Sequence, residues 1–192
     1  MSRYAPSKSP KFPDPANLKP GPIIRDASAR DLATLREIYA YQVRHGNGSF
    51  EEKPPDAVEF LRRYEAVRAK TLSYLVAEIE GIVGGYAYVA PFRGRAAYRH
   101  TVENSVYVDP ETEGRGLGTA LLDRLIEFCT GAGIRQMVAV IGDTANTASI
   151  KLHERAGFRH AGTLQSMGFK HVQWVNTVTM QRSLGEGDKI AP

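Results

Sequence analysis

A single cysteine, Cys129, is the entire thiol complement of this 192-residue chain, which excludes an internal disulfide. Cys129 has no metal-ligating neighbours and falls on the apolar stripe of a predicted helix, so it reads as a buried, inert thiol rather than a nucleophile. His45, His100 and His160 likewise show no ligand spacing, and no metal is expected. Long apolar runs are missing too. None reaches the ~18 residues that a membrane span needs, and the start of the chain lacks the apolar centre of a signal peptide. The expectation is a cytoplasmic protein with no membrane partner.

Excess charge of one sign is confined to one end. The formal net charge is +4. Arg3, Lys8, Lys11 and Lys19 against Asp14 place +3 of it in residues 1–22, which leaves +1 for residues 23–192. The remainder has no basic face with interleaved aromatics, and this argues against a nucleic-acid partner. The same 22 residues hold six of the eleven prolines and almost no apolar periodicity. A segment of that composition does not offset its ordering entropy. Residues 1–21 are therefore expected to be a flexible tail and 185–192 a second, short one. Between them, 22–184 form one domain, for which a hydrophobic content of 42% supplies a substantial core.

Within that domain the apolar pattern alternates between periods of two and of 3.6. Ile23 and Ile24 open a short strand. Ser28 or Asp31 caps a helix with Leu32, Leu35, Ile38 and Tyr39 on one side. A second helix starts at Asp56, with Val58, Leu61, Tyr64 and Val67 as its predicted inner face. Residues 72–92 read as a hairpin turning at Glu80-Gly81. Residues 100–108 form a strand, and QMVAVI (136–141) is a continuous apolar run suited to a strand covered on both faces. A helix over 147–156 and strands near 160–169 and 172–182 complete the count. The class is α/β: a mixed sheet of about seven strands flanked by about four helices.

The most informative stretch is VENSVYVDPETEGRGLGTALLDRLIEF (102–128). A strand ends at Asp109-Pro110, passes through Gly114, Gly116 and Gly118, and becomes a helix with Leu117, Leu121, Leu122, Leu125, Ile126 and Cys129 inward. Such a turn presents unpaired N–H groups at the positive end of a helix dipole, which is an anion site. The alternative is that the glycines only permit a tight turn. No Gly-Lys-Ser/Thr follows, which excludes a Walker loop. The third glycine of the dinucleotide fingerprint is also missing.

Four segments in order carry a more specific likeness: TVENSVYVDP (101–110), GRGLGTALL (114–122), AVIGDTANTASIKLHERAGF (139–158) and MGFKHVQW (167–174). In them the chain closely resembles the GNAT superfamily of acyl-CoA N-acyltransferases. Within it, the likeness is to the phosphinothricin and methionine sulfone or sulfoximine N-acetyltransferases, over about residues 22–184. One position departs: Glu113 stands where the superfamily usually has Gln or Arg. Because backbone N–H groups hold the phosphates, binding is expected to persist, with Arg115 the nearest cation.

The resemblance implies a GNAT fold, acetyl-CoA as co-substrate, a small amine as acceptor, and a homodimer. It also implies roles. Glu103 is the general base, with a solvent-facing or paired structural carboxylate as the alternative. Val106, Tyr107 and Val108 line the acyl end of CoA where the strand splays from its neighbour, and the Val108 N–H is the oxyanion donor. Gly114, Arg115, Gly116, Leu117, Gly118 and Thr119 form the pyrophosphate turn, while Asn146 and Ser149 bind the pantetheine arm or simply cap a helix. His153, where many members have tyrosine, protonates the departing thiolate or relays a proton to Glu103, unless it merely packs. Phe50, Phe92, Arg93, Tyr98 and Arg99 surround the acceptor, an arginine holding its carboxylate. His171 and Trp174 close a far wall or a dimer interface. The implied reaction is direct acetyl transfer to the α-amine of an amino-acid-like substrate. A peptide N-terminus or another small amine is the alternative acceptor, and a non-catalytic acyl-CoA-binding module the alternative class.

Overall fold

The protein is described from a computed structural model covering residues 21–192. The expected Pro-rich tail lies outside the described residues but for Gly21. Seven strands form one sheet in the order β1-β2-β3-β4-β5-β7-β6: β1 Ile23–Asp26, β2 Tyr74–Ile79, β3 Ile82–Pro91, β4 Thr101–Val108, β5 Gln136–Gly142, β6 Arg159–Lys170 and β7 Gln173–Ser183. Four helices flank it: α1 Leu32–His45, α2 Ala57–Arg68, α3 Leu117–Gly131 and α4 Thr147–Arg155. Only the β4–β5 pair is parallel. No described helix is long and apolar enough to cross a membrane. Past β7 the chain turns, with Gly187 N–H on Leu184 O (2.9 Å) and Lys189 N–H on Glu186 O (3.1 Å).

Each face of the sheet has its own core. On one, α3 buries Leu117, Leu121, Leu122, Leu125, Ile126 and Cys129 against Ala87, Val89, Val102, Met137 and Ala139. Each such side chain contributes about 1.5–3 kcal/mol, which holds the helix start firmly. Burial drives the Cys129 thiol up to about 12, the inert state expected of it. On the other face, α1 and α2 cover an aromatic layer of Tyr39, Phe60, Tyr74 and Tyr86.

Local signals set the element ends. Glu80 and Gly81 both take left-handed backbone (φ 54° and 80°), as a two-residue hairpin turn requires. At the β1–α1 junction the buried Asp31 accepts from Ser28 N–H and Oγ–H (2.8 Å each) and from Arg25 (2.8 and 2.9 Å). In α2 the Asp56 cap is as read, accepting from Glu59 N–H at 2.8 Å, but the inner face is not. Val58 is 77% exposed and Leu61 40%. Phe60 is buried instead, with Tyr64 and Val67 packed beside it. Its ring meets Tyr39 and Tyr86 edge-on or tilted, at 6.3 and 6.4 Å. The larger aromatic surface decides which way the helix rolls.

Candidate active site

β4 and β5 form a fork. They pair from Thr101↔Gln136 to Asn104↔Ala139 and no further. Beyond that, β5 follows β7, with Val140, Ile141 and Gly142 opposite Thr179, Val178 and Thr177. β4 follows β3 as far as Val108↔Gly85. Hydrogen-bond alternation then decides which way the β4 backbone faces. Phe92 N–H bonds Thr101 O (3.1 Å) and Asp109 N–H bonds Gly84 O (2.9 Å), so odd-numbered β4 residues are spent on β3. Val106 and Val108 therefore turn their backbone groups into the fork. A cavity of about 480 Å³ fills it, lined by Val106, Tyr107 and Val108, by the glycine turn, and by α4.

The turn is built as an anion cradle. Gly114 and Gly116 take φ of 73° and 84°, and a Cβ on either would meet no atom within 4 Å. Left-handed geometry, not crowding, requires glycine there, and the space in front stays open. Among the described residues, the N–H groups of Gly114 to Thr119 have no acceptor in the protein, and the first turn closes only with Ala120 N–H on Gly116 O (3.1 Å). The open N–H groups and the α3 dipole face the cavity, which fits the pyrophosphate of CoA.

Sequence reading missed what holds the turn in place. Thr112 Oγ donates to Gly84 O at 2.8 Å, tying the turn to β3. A Cβ on Gly84 would lie 2.7 Å from Thr112 Oγ1 and 2.8 Å from Leu117, so only glycine lets the turn seat. The GG of β3 was the available signal. Arg115, expected near the phosphates, is not in the cavity lining; it pairs with Glu80 at 3.0 Å. The cations that line the cavity are Lys151 and Arg155 of α4. They were missed because helical spacing places them on the cavity rim only once α4 is docked. Asn146 and Ser149 both line the cavity, and Asn146 also caps α4 by accepting from Ser149 N–H at 3.2 Å.

Glu103 is on the other side of the sheet. Strand alternation sends Asn104 and Val106 toward α3 and α4, and Glu103, Ser105 and Tyr107 toward α1 and α2. Tyr107 accordingly packs its ring on Tyr39 and Tyr86 (5.2 and 5.1 Å) and offers the cavity mainly backbone. Glu103 is half-buried near Tyr88, and burial raises its carboxyl above the ordinary range. At the same end of the sheet, Arg93 stacks over Phe92 and Tyr98 (5.1 and 5.7 Å). Arg99 bonds only Ala96 O of its own turn, at 3.4 Å. These residues belong to the loop that joins β3 to β4 past the Pro91↔Val102 pair, one pair on from Ala90↔Glu103, and they do not line the cavity.

His153 lines the cavity yet makes no contact with Glu103. Its Nδ1 lies 2.8 Å from Ser149 O and its Nε2 2.9 Å from Asn104 Oδ1. Burial lowers its pKa, and the Ser149 carbonyl opposes that shift. No hydrogen bond among the described residues leads from His153 toward Glu103: the ring bonds Ser149 and Asn104 on its own face, and Glu103 is on the opposite face of β4.

The loop after α1 forms a further wall. Lys170 at the end of β6, buried, donates to Gly46 O and Ser49 O at 2.7 Å each, and Asn47 Nδ2 donates to Asp143 at 2.8 Å. A Cβ on Gly142 would collide with Asn47 O, and one on Gly168 with the Phe50 ring. Phe50 thus lies across two glycines beside the fork mouth. Gly48 and Gln42 line the cavity itself.

A parallel-strand fork with free backbone groups, closed by a glycine turn at a helix start, defines an acyl-CoA-dependent transferase. The acetyltransferase (GNAT) family model matches residues 35–158, and the chain belongs to that family. It is 48% identical over 170 residues to phosphinothricin N-acetyltransferase of Alcaligenes faecalis, covering 88% of this chain and 85% of the relative. Identity to the L-methionine sulfoximine/L-methionine sulfone acetyltransferase of Salmonella typhimurium is 38% over 163 residues, 85% and 95% of the two chains. Among solved structures, a phosphinothricin acetyltransferase of Sinorhizobium meliloti in complex with AcCoA superposes with a TM-score of 0.86 at 45% identity, covering 89% and 92%. The reaction class is acetyl transfer from acetyl-CoA to an amine.

Proposed function

We propose that this protein acetylates the α-amine of a small amino-acid-like substrate of the phosphinothricin or methionine sulfone/sulfoximine type, by direct transfer in a ternary complex. The observation that carries the reading is the fork, whose cavity is lined by the free Val106 and Val108 backbone and the glycine turn, with a half-buried, desolvated carboxylate, Glu103, on the opposite face of the same strand. Acetyl-CoA, when bound, supplies the activated acyl group. Glu103 takes the proton from the substrate ammonium, directly or through water, and frees the amine to attack the thioester carbonyl. The Val108 N–H, turned into the fork, is placed to donate to a developing oxyanion. The Phe92–Arg99 turn, with Arg93 and Arg99 in no ion pair among the described residues, suits a substrate carboxylate. The names of the relatives support the same acceptor class.

Thiol release from acetyl-CoA with phosphinothricin, methionine sulfone, methionine sulfoximine and a peptide amine side by side tests this. Turnover is expected with the amino-acid analogues and a drop of about 100-fold or more in Glu103→Gln, with CoA affinity retained. Preference for the peptide amine would move the acceptor class, and unchanged turnover in Glu103→Gln would remove the base.

We further infer a single catalytic domain over 22–184, a cytoplasmic location, and a homodimer formed through the β6–β7 hairpin. That hairpin exposes Leu164, Met167, Phe169, Val172 and Trp174 together, Val172 at 90% and Trp174 at 66%. A patch of this kind marks an interface. Trp174→Asp is expected to shift the protein from dimer to monomer in sedimentation equilibrium, and a wild-type monomer would refute the assembly.

A further inference from the structure

Four groups form a hydrogen-bonded chain from α4 to the closed end of the fork. Ser149 O faces His153 Nδ1 at 2.8 Å, His153 Nε2 faces the Asn104 carboxamide at 2.9 Å, and that carboxamide reaches Val138 O at 3.1 Å. Both ends of the chain are carbonyls, which only accept. The three links therefore need three protons from the two groups between them. The carboxamide presents N–H on one side only: with its nitrogen on Val138 O, its oxygen faces the imidazole. A neutral imidazole has one N–H. Whichever tautomer it adopts, and whichever way the carboxamide is turned, a neutral His153 completes at most two of these links; the Ser149 hydroxyl is the other group within reach of Nδ1, at 3.5 Å against 2.8 Å for the carbonyl, and so is the weaker partner. An imidazolium completes all three. His153 and Asn104 are 3% and 5% exposed, so water does not readily replace the missing partner.

We propose that Asn104 is a positioning residue that holds His153 as an imidazolium at the apex of the fork, placing a fixed positive charge where β4 and β5 part. Among the described residues no carboxylate hydrogen-bonds or pairs with His153, and the one carboxylate in the cavity lining is Glu113 of the glycine turn. β5 has no ionisable side chain, Phe158 meets the ring edge-on at 5.0 Å, and Glu103 of β4 turns to the opposite face. On α4 itself, Lys151, Glu154 and Arg155 are exposed, and Arg182 of β7 is spent on Ala156 O at the helix end. The charge is therefore held by acceptors rather than by an ion pair. Burial works against the charge and lowers the ring's pKa, and the Ser149 carbonyl opposes that shift; the carboxamide oxygen 2.9 Å from Nε2 acts in the same sense as the carbonyl, since an acceptor on a ring nitrogen favours the protonated form. The use of this charge rests on the acetyl-transfer reading: a cation at the acyl end of the cavity favours departure of a thiolate. The charge itself does not rest on that reading.

Nitrogen NMR of the imidazoles in the full-length chain tests the proposal, with the His153 signals assigned by their loss in His153→Gln. A doubly protonated ring at about pH 7.5, above the ordinary histidine midpoint, is the expected result. A neutral tautomer at that pH overturns the proposal on the wild-type protein alone, whether or not any variant folds. In Asn104→Leu the midpoint is expected to fall by about one to two pH units, the loss of one hydrogen bond to a charged group. Asn104→Asp, which keeps an acceptor, is expected to hold or raise it. An unchanged midpoint in Asn104→Leu would sink the role of Asn104. Thiol release is read separately. Failure of every acceptor with the imidazolium in place would count against the acetyl-transfer reading and leave the charge standing.

Discussion

Glu103 owes its candidacy to environment as much as to position. Burial raises its pKa, so the free carboxylate that accepts a proton is present only above that raised value. The acid limb of kcat/KM is therefore expected to fall as pH drops through it, and to move in Glu103→Asp or disappear with activity in Glu103→Gln. Gly116 shows the opposite kind of necessity. At φ 84° a β-branched residue is strained by about 1–2 kcal/mol, and its side chain would project into the open side of the turn. Gly116→Val is expected to weaken CoA binding by 10-fold or more in calorimetry, with the fold retained; normal affinity would discard the cradle. At this scale the residue types were readable from the chain: a carboxylate on a strand before a glycine turn, and glycines where a backbone must curve. Arg115 was not, because its pairing with Glu80 depends on the β2–β3 turn lying alongside.

At the scale of elements, the β6–β7 turn stands out. His171 and Val172 take φ of 50° and 62°, a conformation suited to Asn-Gly and poor for a β-branched residue. Val172 is also almost fully exposed, so nothing in the described chain compensates for the strain. Val172→Gly is expected to raise the stability of the isolated chain by about 1 kcal/mol and, by removing apolar surface at the proposed interface, to weaken dimerisation. Thermal unfolding and sedimentation on one preparation separate the two effects. Secondary structure was largely legible because caps and periodicities are local: Asp56 and the Glu80-Gly81 turn act within a few residues of themselves. The inner face of α2 was not, since four apolar positions compete and contact with Tyr39 and Tyr86 selects Phe60.

The whole molecule depends on how its first strand is tied to its first helix. Arg25 hydrogen bonds hold the Asp31 carboxyl far below the ordinary range, aided by Ser28 and opposed by burial. A depressed folded pKa contributes stability that is complete above the unfolded value of about 4 and is lost as pH falls toward the folded one. Asp31→Asn is expected to cost about 2–4 kcal/mol at pH 7 and to flatten the acid limb of a denaturation series; an unchanged limb would assign acid sensitivity elsewhere.

The sequence by itself determined the α/β class, the number of strands and helices, the glycine turn at the start of α3 and the family, because each is written in short-range pattern or contiguous motif. Tertiary structure decided how these meet. The parting of β4 from β5 arises because β5 follows β7, a strand some forty residues later, and no local signal on either strand announces it. The same parting exposes the Val106 and Val108 backbone just past Asn104, and the docking of α4 brings His153 onto Asn104, on the face away from Glu103. Those relations come from register and strand order, which are set by long-range burial rather than by neighbouring residues.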